Sequence, residues 1–311
     1  MSVTSSMVSP SLVPRLAGCL GCLVAALVPR IVVAVIPAEA SPPPAAAVAP
    51  ITEVSPRAKG APEPLIDGAA RSVVAVAVSH RDPRGGERRV SLCSGALVEP
   101  NLVLTARHCI SRNLTATPRC DRSGRSHNGD HVGEDIDPSE IAIYTGDHID
   151  VSRDAARARA VATLHGKERV LCDADIAYLV LDRPLTDVAP LRMREVGAID
   201  PGDSVVAVGY GGGAGNRLGV RAARGPRLVA AVGPRADPAT GKVLGPREFE
   251  IEGATCAGDS GGPVIDADRG DVVGITSRGA GCTAAGNHVY TRTDAFAALT
   301  AEARTAALAQ R

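Results

Sequence analysis

Three short segments, in one order along the chain, carry residues able to do nucleophilic and proton-transfer chemistry. Leu104-Thr105-Ala106-Arg107-His108-Cys109 sets a histidine beside a cysteine at the end of an apolar run. Asp173-Ala174-Asp175-Ile176-Ala177 places two carboxylates just ahead of another apolar run. Cys256-Ala257-Gly258-Asp259-Ser260-Gly261-Gly262-Pro263 encloses a serine between glycines. Taken singly, each has a bland reading: one histidine among seven, a turn at a strand start, a surface turn. The third is nevertheless specific. Glycines around a serine allow a tight turn that exposes Oγ and aims nearby backbone N–H groups into one concavity. An acyl-transfer nucleophile and its oxyanion hole need that arrangement.

The elements that must position these residues read as short β-strands. Runs at 73–78, 91–98, 102–105, 141–145 and 176–181 are rich in Val, Ile, Leu and Ala, and Gly, Pro, Asp or Asn flank most of them. The same holds for 204–210, 227–232, 249–251, 264–265, 272–277 and 288–291. Many short strands at near-regular spacing predict an antiparallel barrel or sandwich. Gly211-Gly212-Gly213 follows a strand with no helix behind it, so it does not form a nucleotide-binding turn. The tail, 294–310, is rich in Ala, Leu, Glu and Arg and predicts a helix with Thr293 or Asp294 as its N-cap.

Composition narrows the function classes. The chain has 311 residues, with 34 basic and 34 acidic side chains, and the absence of net charge argues against phosphate-backbone binding. Trp is absent, and two Phe and four Tyr are too few for base-stacking platforms. At 45% hydrophobic residues the chain can still build a core, from Val, Leu, Ile and Ala.

The front end reads as outside the fold. Apolar residues dominate 16–37, interrupted by Pro29-Arg30 and followed by Ala38-Glu39-Ala40, a small-x-small tripeptide suited to signal cleavage. We expect residues 1–40 to be a signal peptide, with an uncleaved N-terminal anchor as the alternative. Residues 41–64 are rich in Pro and Ala and read as a linker or propeptide. The folded domain is expected over 65–311, secreted or periplasmic, as a monomer with no membrane contact of its own. Losing Cys19 and Cys22 with the signal leaves Cys93, Cys109, Cys120, Cys172, Cys256 and Cys282. An even set in an exported chain reads as disulfides, with about 15 connectivities open.

Over 65–311 the chain resembles the trypsin/chymotrypsin-like serine peptidases. The resemblance rests on Cys93-Ser94-Gly95-Ala96-Leu97, Thr105-Ala106-Arg107-His108-Cys109, Asp175-Ile176-Ala177, Gly258-Asp259-Ser260-Gly261-Gly262-Pro263 and Val289-Tyr290-Thr291. The His, Asp, Ser order is that family's. The resemblance implies an all-β fold of two six-stranded antiparallel barrels, the active site between them, and a C-terminal helix. It implies that Ser260 attacks the scissile carbonyl, His108 moves the proton and Asp175 fixes the tautomer of His108, with Asp173 as the rival acid. The N–H groups of Gly258 and Ser260 would form the oxyanion hole, and Ser277 would support Asp175. It also implies the pairs Cys93–Cys109 and Cys256–Cys282, which leaves Cys120–Cys172. No cofactor or metal is implied, and the partners would be protein or peptide substrates.

Some positions depart from the family's pattern. Arg107 stands where Ala is usual, and Arg278 where Trp is common, bordering the cleft. The 111–140 segment is long. Its His127, Asp130, His131, Glu134, Asp135 and Asp137 are candidate calcium or zinc ligands, weighed against a plain solvated loop. Ala254 at the pocket floor removes the charge that would hold Arg or Lys, so the P1 residue is expected to be another type. Gly279 leaves a pocket wall open. His288 lines the pocket, either reading an acidic P1 residue or merely filling its back. Leu65 is the expected new N-terminus after maturation, its ammonium pairing with Asp259 as in family zymogens. The competing readings are a catalytically silent binding protein of the same fold, and an esterase or other acyl hydrolase.

Overall fold

In the computed structural model the described residues are 63–81, 88–213, 217–238, 241–253, 255–279, 281–282 and 287–311. The expected signal and residues 41–62 of the expected linker lie outside them, as does Ala254, while Glu63 and Pro64 at the linker's end belong to a helix. After helix α1 (Glu63–Ala70), strands β1 (Val73–Arg81), β2 (Arg88–Glu99) and β3 (Leu102–Thr105) follow in meander order. A one-turn helix, α2 (Arg107–Ile110), leads into a small hairpin of β4 (Ser111–Asn113) and β5 (Val132–Asp135). Strands β6 (Ile141–Tyr144), β7 (Ala158–His165) and β8 (Ala177–Leu181) complete a closed barrel in the order β1-β2-β3-β8-β7-β6.

The second barrel uses β9 (Ser204–Gly209), β10 (Ala222–Val232), β13 (Glu248–Glu252), β14 (Pro263–Asp266), β15 (Val272–Arg278) and β16 (Asn287–Arg292). It closes as β10-β13-β16-β15-β14-β9, with a separate hairpin of β11 (Arg235–Asp237) and β12 (Lys242–Leu244) beside it. Closure removes the unpaired edges that would otherwise template aggregation. All barrel pairings are antiparallel.

Small aliphatic side chains fill the barrels. All of β3, β6 and β8 is buried, and Leu97, Leu102, Leu104, Ile141, Ile143, Leu179 and Leu181 are fully enclosed. Each such side chain contributes about 1.5–3 kcal/mol relative to exposure. Phe249 stacks on Tyr290 at 5.3 Å between centroids inside the second barrel. Tyr210 donates its hydroxyl to Gly146 O at 2.7 Å, so a residue following β9 is tied to the loop after β6.

Helix α3 (Ala297–Ala309) packs Ala303 and Ala307 inward, and Tyr178 Oη meets Thr300 Oγ1 at 2.7 Å. Its start differs from the sequence expectation. A 3₁₀ turn (Asp294–Phe296) precedes the α-helix, and Thr293 makes no capping bond. Its hydroxyl goes instead to Val272 O, because Thr293 is buried against β15. Barrel strand β7, the short hairpin strands β4, β5, β11 and β12, and helices α1 and α2 have no counterpart in the sequence reading.

Candidate active site

Strand β3 ends at Thr105, and α2 turns His108 back toward the start of β8, where Thr105 pairs with Ala177. That register sets Asp175, two residues before Ala177, beside the imidazole. Asp175 Oδ2 lies 2.8 Å from His108 Nδ1, and Oδ1 accepts the His108 backbone N–H at 3.0 Å. Ser277 Oγ, from β15 of the other barrel, donates to Oδ2 at 2.6 Å. Asp175 is fully buried, so these three bonds replace water around its charge. A carboxylate only accepts, which places the proton of the neutral ring on Nδ1 and leaves the Nε2 lone pair as its acceptor.

Burial penalises both charged forms here, but the partner overrides it in each case. The Asp175 charge and hydrogen bond hold His108 above the ordinary histidine range. The carboxyl of Asp175 is held below its usual range by His108 and by the bonds from His108 and Ser277. The Cys93–Cys109 disulfide, with S–S at 2.04 Å, anchors α2 to β2.

Ser260 arrives from the second barrel. Gly258 has φ +102° and Gly261 φ +75°, conformations that side chains resist. The loop is clamped on both flanks: Ser94 N–H donates to Ser260 O at 2.8 Å, and Gly261 N–H to Thr276 O at 2.8 Å. Ser94 Oγ donates to Gly258 O at 2.7 Å and accepts Tyr210 N–H at 2.9 Å. The N–H groups of Gly258 and Ser260 find no acceptor among the described residues. Ser260 and His108 line one cavity of about 640 Å³ with Thr255, Ser277, Gly279 and His288.

Asp173, the rival acid, faces elsewhere. It adopts φ 61°, its N–H donates to Glu248 Oε1 at 2.8 Å, and its carboxylate accepts the Arg247 N–H. Arg278 also looks away from an open subsite. Although it lines the cavity, it makes a two-pronged ion pair with the buried Glu248, at 2.7 and 2.8 Å. Arg107 is buried behind His108, pairing with Asp135 at 3.0 Å and donating to Ser111 Oγ at 2.8 Å.

Of the candidate metal ligands of 111–140, Asp130, His131, Asp135 and Asp137 have side-chain partners within the protein. Asp135 also meets His165 Nε2 at 2.7 Å, and Asp137 accepts from Ser139 N–H at 2.9 Å. The buried His131 ring accepts the Leu171 N–H on Nδ1 at 3.0 Å, and its Nε2 meets Asn128 Oδ1 at 2.9 Å. Leu114, Thr115, Ala116 and Pro118 of the same segment form a wall of the cleft.

In the pocket, Gly279 does not leave an open wall. A Cβ there would collide with the His288 imidazole, which already covers that face. His288 is 1% exposed, its Nδ1 is 2.8 Å from Thr255 Oγ1, and burial lowers its pKa, so the ring stays neutral near pH 7. Its Nε2 is buried without a partner among the described residues.

Disulfides Cys120–Cys172 and Cys256–Cys282 close at S–S distances of 2.00 and 2.03 Å. Leu65 and Asp259 are not brought together. Leu65 is 38% exposed in α1, beside Gly270, whereas the buried Asp259 meets Arg224 Nε at 2.7 Å. In this uncut chain the partner of Asp259 is Arg224, a pair made within the second barrel.

Four residues of the site escaped the sequence reading: Ser94, Arg224, Glu248 and Thr255. Glu248, one of three glutamates alternating with apolar residues along β13, carried no distinguishing signal. Arg224, one arginine among many, carried none.

Paired closed barrels with their cleft so furnished define the class of chymotrypsin-like proteins. The chain itself belongs to the trypsin family, which it matches over residues 67–300. It is also similar in fold to the scabies mite inactivated protease paralogue S-I1. That similarity has 17% sequence identity and a TM-score of 0.55, covering 77% of this chain and 96% of the mite chain. The mite protein being an inactivated paralogue, the fold alone does not carry activity.

Proposed function

We propose that the protein is an active, exported serine endopeptidase. The carrying observation is the His108–Asp175 pair at 2.8 Å, on the same cavity as Ser260. Ser260 Oγ attacks the scissile carbonyl carbon while His108 Nε2 takes its proton. The carbonyl oxygen becomes an oxyanion facing the Gly258 and Ser260 N–H groups, each such donor worth about 3 kcal/mol in families of this type. The tetrahedral species collapses as His108 returns the proton to the leaving amine, which leaves an acyl-enzyme. Water, deprotonated by His108, then attacks the ester and frees Ser260. Asp175 stays ionised, holding the ring and stabilising the imidazolium.

His288 fills the pocket beside Gly279 and is neutral, which supports a small uncharged P1 residue over an acidic one. The three disulfides support an oxidising destination outside the cytoplasm. Among the described residues no helix is long and apolar enough to cross a membrane.

Digestion of a mixed peptide library, read by mass spectrometry, tests this reading. Cuts after small uncharged residues, abolished in Ser260→Ala, are expected. Identical profiles from the two proteins, or none from either, would contradict it and favour a silent binding protein.

A further inference from the structure

The residue before the nucleophile carries a charge that the proposed reaction does not use. Asp259 is 2% exposed, and an ionised carboxylate so placed needs a counter-charge. Its Oδ1 accepts the Gly211 N–H at 2.8 Å, and its Oδ2 accepts the Cys256 N–H at 2.7 Å. The cation is Arg224, whose Nε donates to Oδ2 at 2.7 Å and whose Nη2 donates to Gly211 O at 3.0 Å. Arg224 projects from β10, where it stands opposite Ala207 of β9, so a barrel strand anchors its backbone. The carboxylate lies directly over Gly211: a Cβ there would come within 2.6 Å of both its oxygens.

These bonds reach the reacting centre through the main chain. Asp259 N–H donates to Cys256 O at 2.9 Å, and Gly262 N–H donates to Asp259 O at 2.9 Å. The 256–262 turn is thus wound around the Asp259 side chain, and Gly258 and Ser260, the two proposed oxyanion donors, are its immediate neighbours. Fixing the carboxylate fixes the planes of the peptides on either side. A cation that arrives only after cleavage would leave those planes unset beforehand. A guanidinium carried by the barrel is present as soon as the barrel closes.

We propose that Arg224 is the positioning residue for the oxyanion turn, and that it takes the place of a newly released N-terminal ammonium. The site is then assembled in the uncut chain, and cutting ahead of Leu65 is not an activating event. This inference rests on the reading of Ser260 as the nucleophile.

The test is reaction of the exported chain, uncut between Ser41 and Leu65, with a fluorophosphonate, in which Ser260 Oγ passes its proton to His108 and forms a bond to phosphorus as fluoride leaves. The uncut chain, with its N-terminus verified by mass, is expected to react as fast as chain cut near Leu65. Arg224→Gln should lower the reaction rate at least tenfold. On a peptide substrate it should lower kcat with KM changed less than threefold, and Arg224→Lys should recover part of that loss. Guanidinium ion at millimolar concentration should partly restore Arg224→Ala, an effect that general destabilisation would not produce. Wild-type rates in a folded Arg224→Gln variant would overturn the proposal, as would wild-type reaction that appears only after cleavage. Should the variants fail to fold, the cut-against-uncut comparison decides alone. If neither wild-type form reacts, the nucleophile reading itself falls and takes this one with it. That pattern differs from reaction confined to the cut chain, which overturns the positioning role only.

Discussion

Ser260 stands between two buried carboxylates that meet the same electrostatic demand in different ways. Asp175, at the edge of the first barrel, faces an imidazole whose charge depends on pH and, in the proposed reaction, on the step. Asp259, in the second, faces a guanidinium that stays charged throughout. The difference follows from what each must do. A proton carrier has to gain and lose charge, so its partner must stabilise the charged state without locking it. A turn that presents two N–H groups must not move, and there a permanent cation is the better partner. Each carboxylate also takes a bond from beyond its own segment, Ser277 Oγ for Asp175 and Gly211 N–H for Asp259, so both are held from two sides.

The contrast can be broken most sharply at Asp175. Triads of this family lose about 10⁴-fold in kcat when the acid becomes its amide, because the amide favours the wrong imidazole tautomer. Asp175→Asn is expected to do the same in steady-state assays, and a loss under tenfold would remove Asp175 from the machinery. A guanidinium cannot substitute for that carboxylate, so guanidinium ion should not rescue this variant.

The pH dependence sharpens the same contrast. His108 titrates above its ordinary value, so kcat/KM should fall as pH drops through that raised pKa, and Arg224→Lys should leave the position of this limb unchanged. The linkage to stability has a definite sign. The folded state binds the His108 proton more tightly, so this contribution is full below about pH 6.5, the unfolded value, and fades as pH rises through the folded one. Asp175, held below its usual value, contributes above about pH 3.9 and loses that contribution as pH falls through its lowered pKa. Urea unfolding at a series of pH values measures both.

The smallest effect on rate should come from the pocket. His288→Gly vacates the space beside Gly279, and the library profile should then extend to larger P1 residues. Cleavage after small residues should change by no more than about tenfold, the scale set by one or two methylene-sized contacts. An unchanged profile would move the specificity pocket away from His288.

Much of this was legible in the chain. Eleven of the twelve barrel strands announce themselves by Val- and Ile-rich runs between turn residues. The missing one, β7, reads Ala-Arg-Ala-Val-Ala-Thr-Leu-His, where alanine is a weak strand former and the burial pattern leaves Arg159 and Val161 outside. Helix α1 was hidden because Leu65-Ile66-Asp67-Gly68 reads equally well as an extended start. At the site, His108, Asp175 and Ser260 were nameable because local motifs mark them.

Partnerships formed across distant segments were not legible. Arg224 lies 35 positions from Asp259, and Arg278 lies 30 from Glu248. Nothing local distinguishes either arginine from others in an arginine-rich chain. The filling of the pocket by His288 beside Gly279 likewise depends on how β16 and the end of β15 pack, which no single motif encodes.

The most direct measurement is to treat the exported chain, uncut between Ser41 and Leu65, with a fluorophosphonate and locate the adduct by peptide mapping. A single adduct on Ser260, formed with the N-terminus uncut and lost in Asp175→Asn, is the result this account predicts. An adduct on another residue, or none on the wild-type chain, would contradict it.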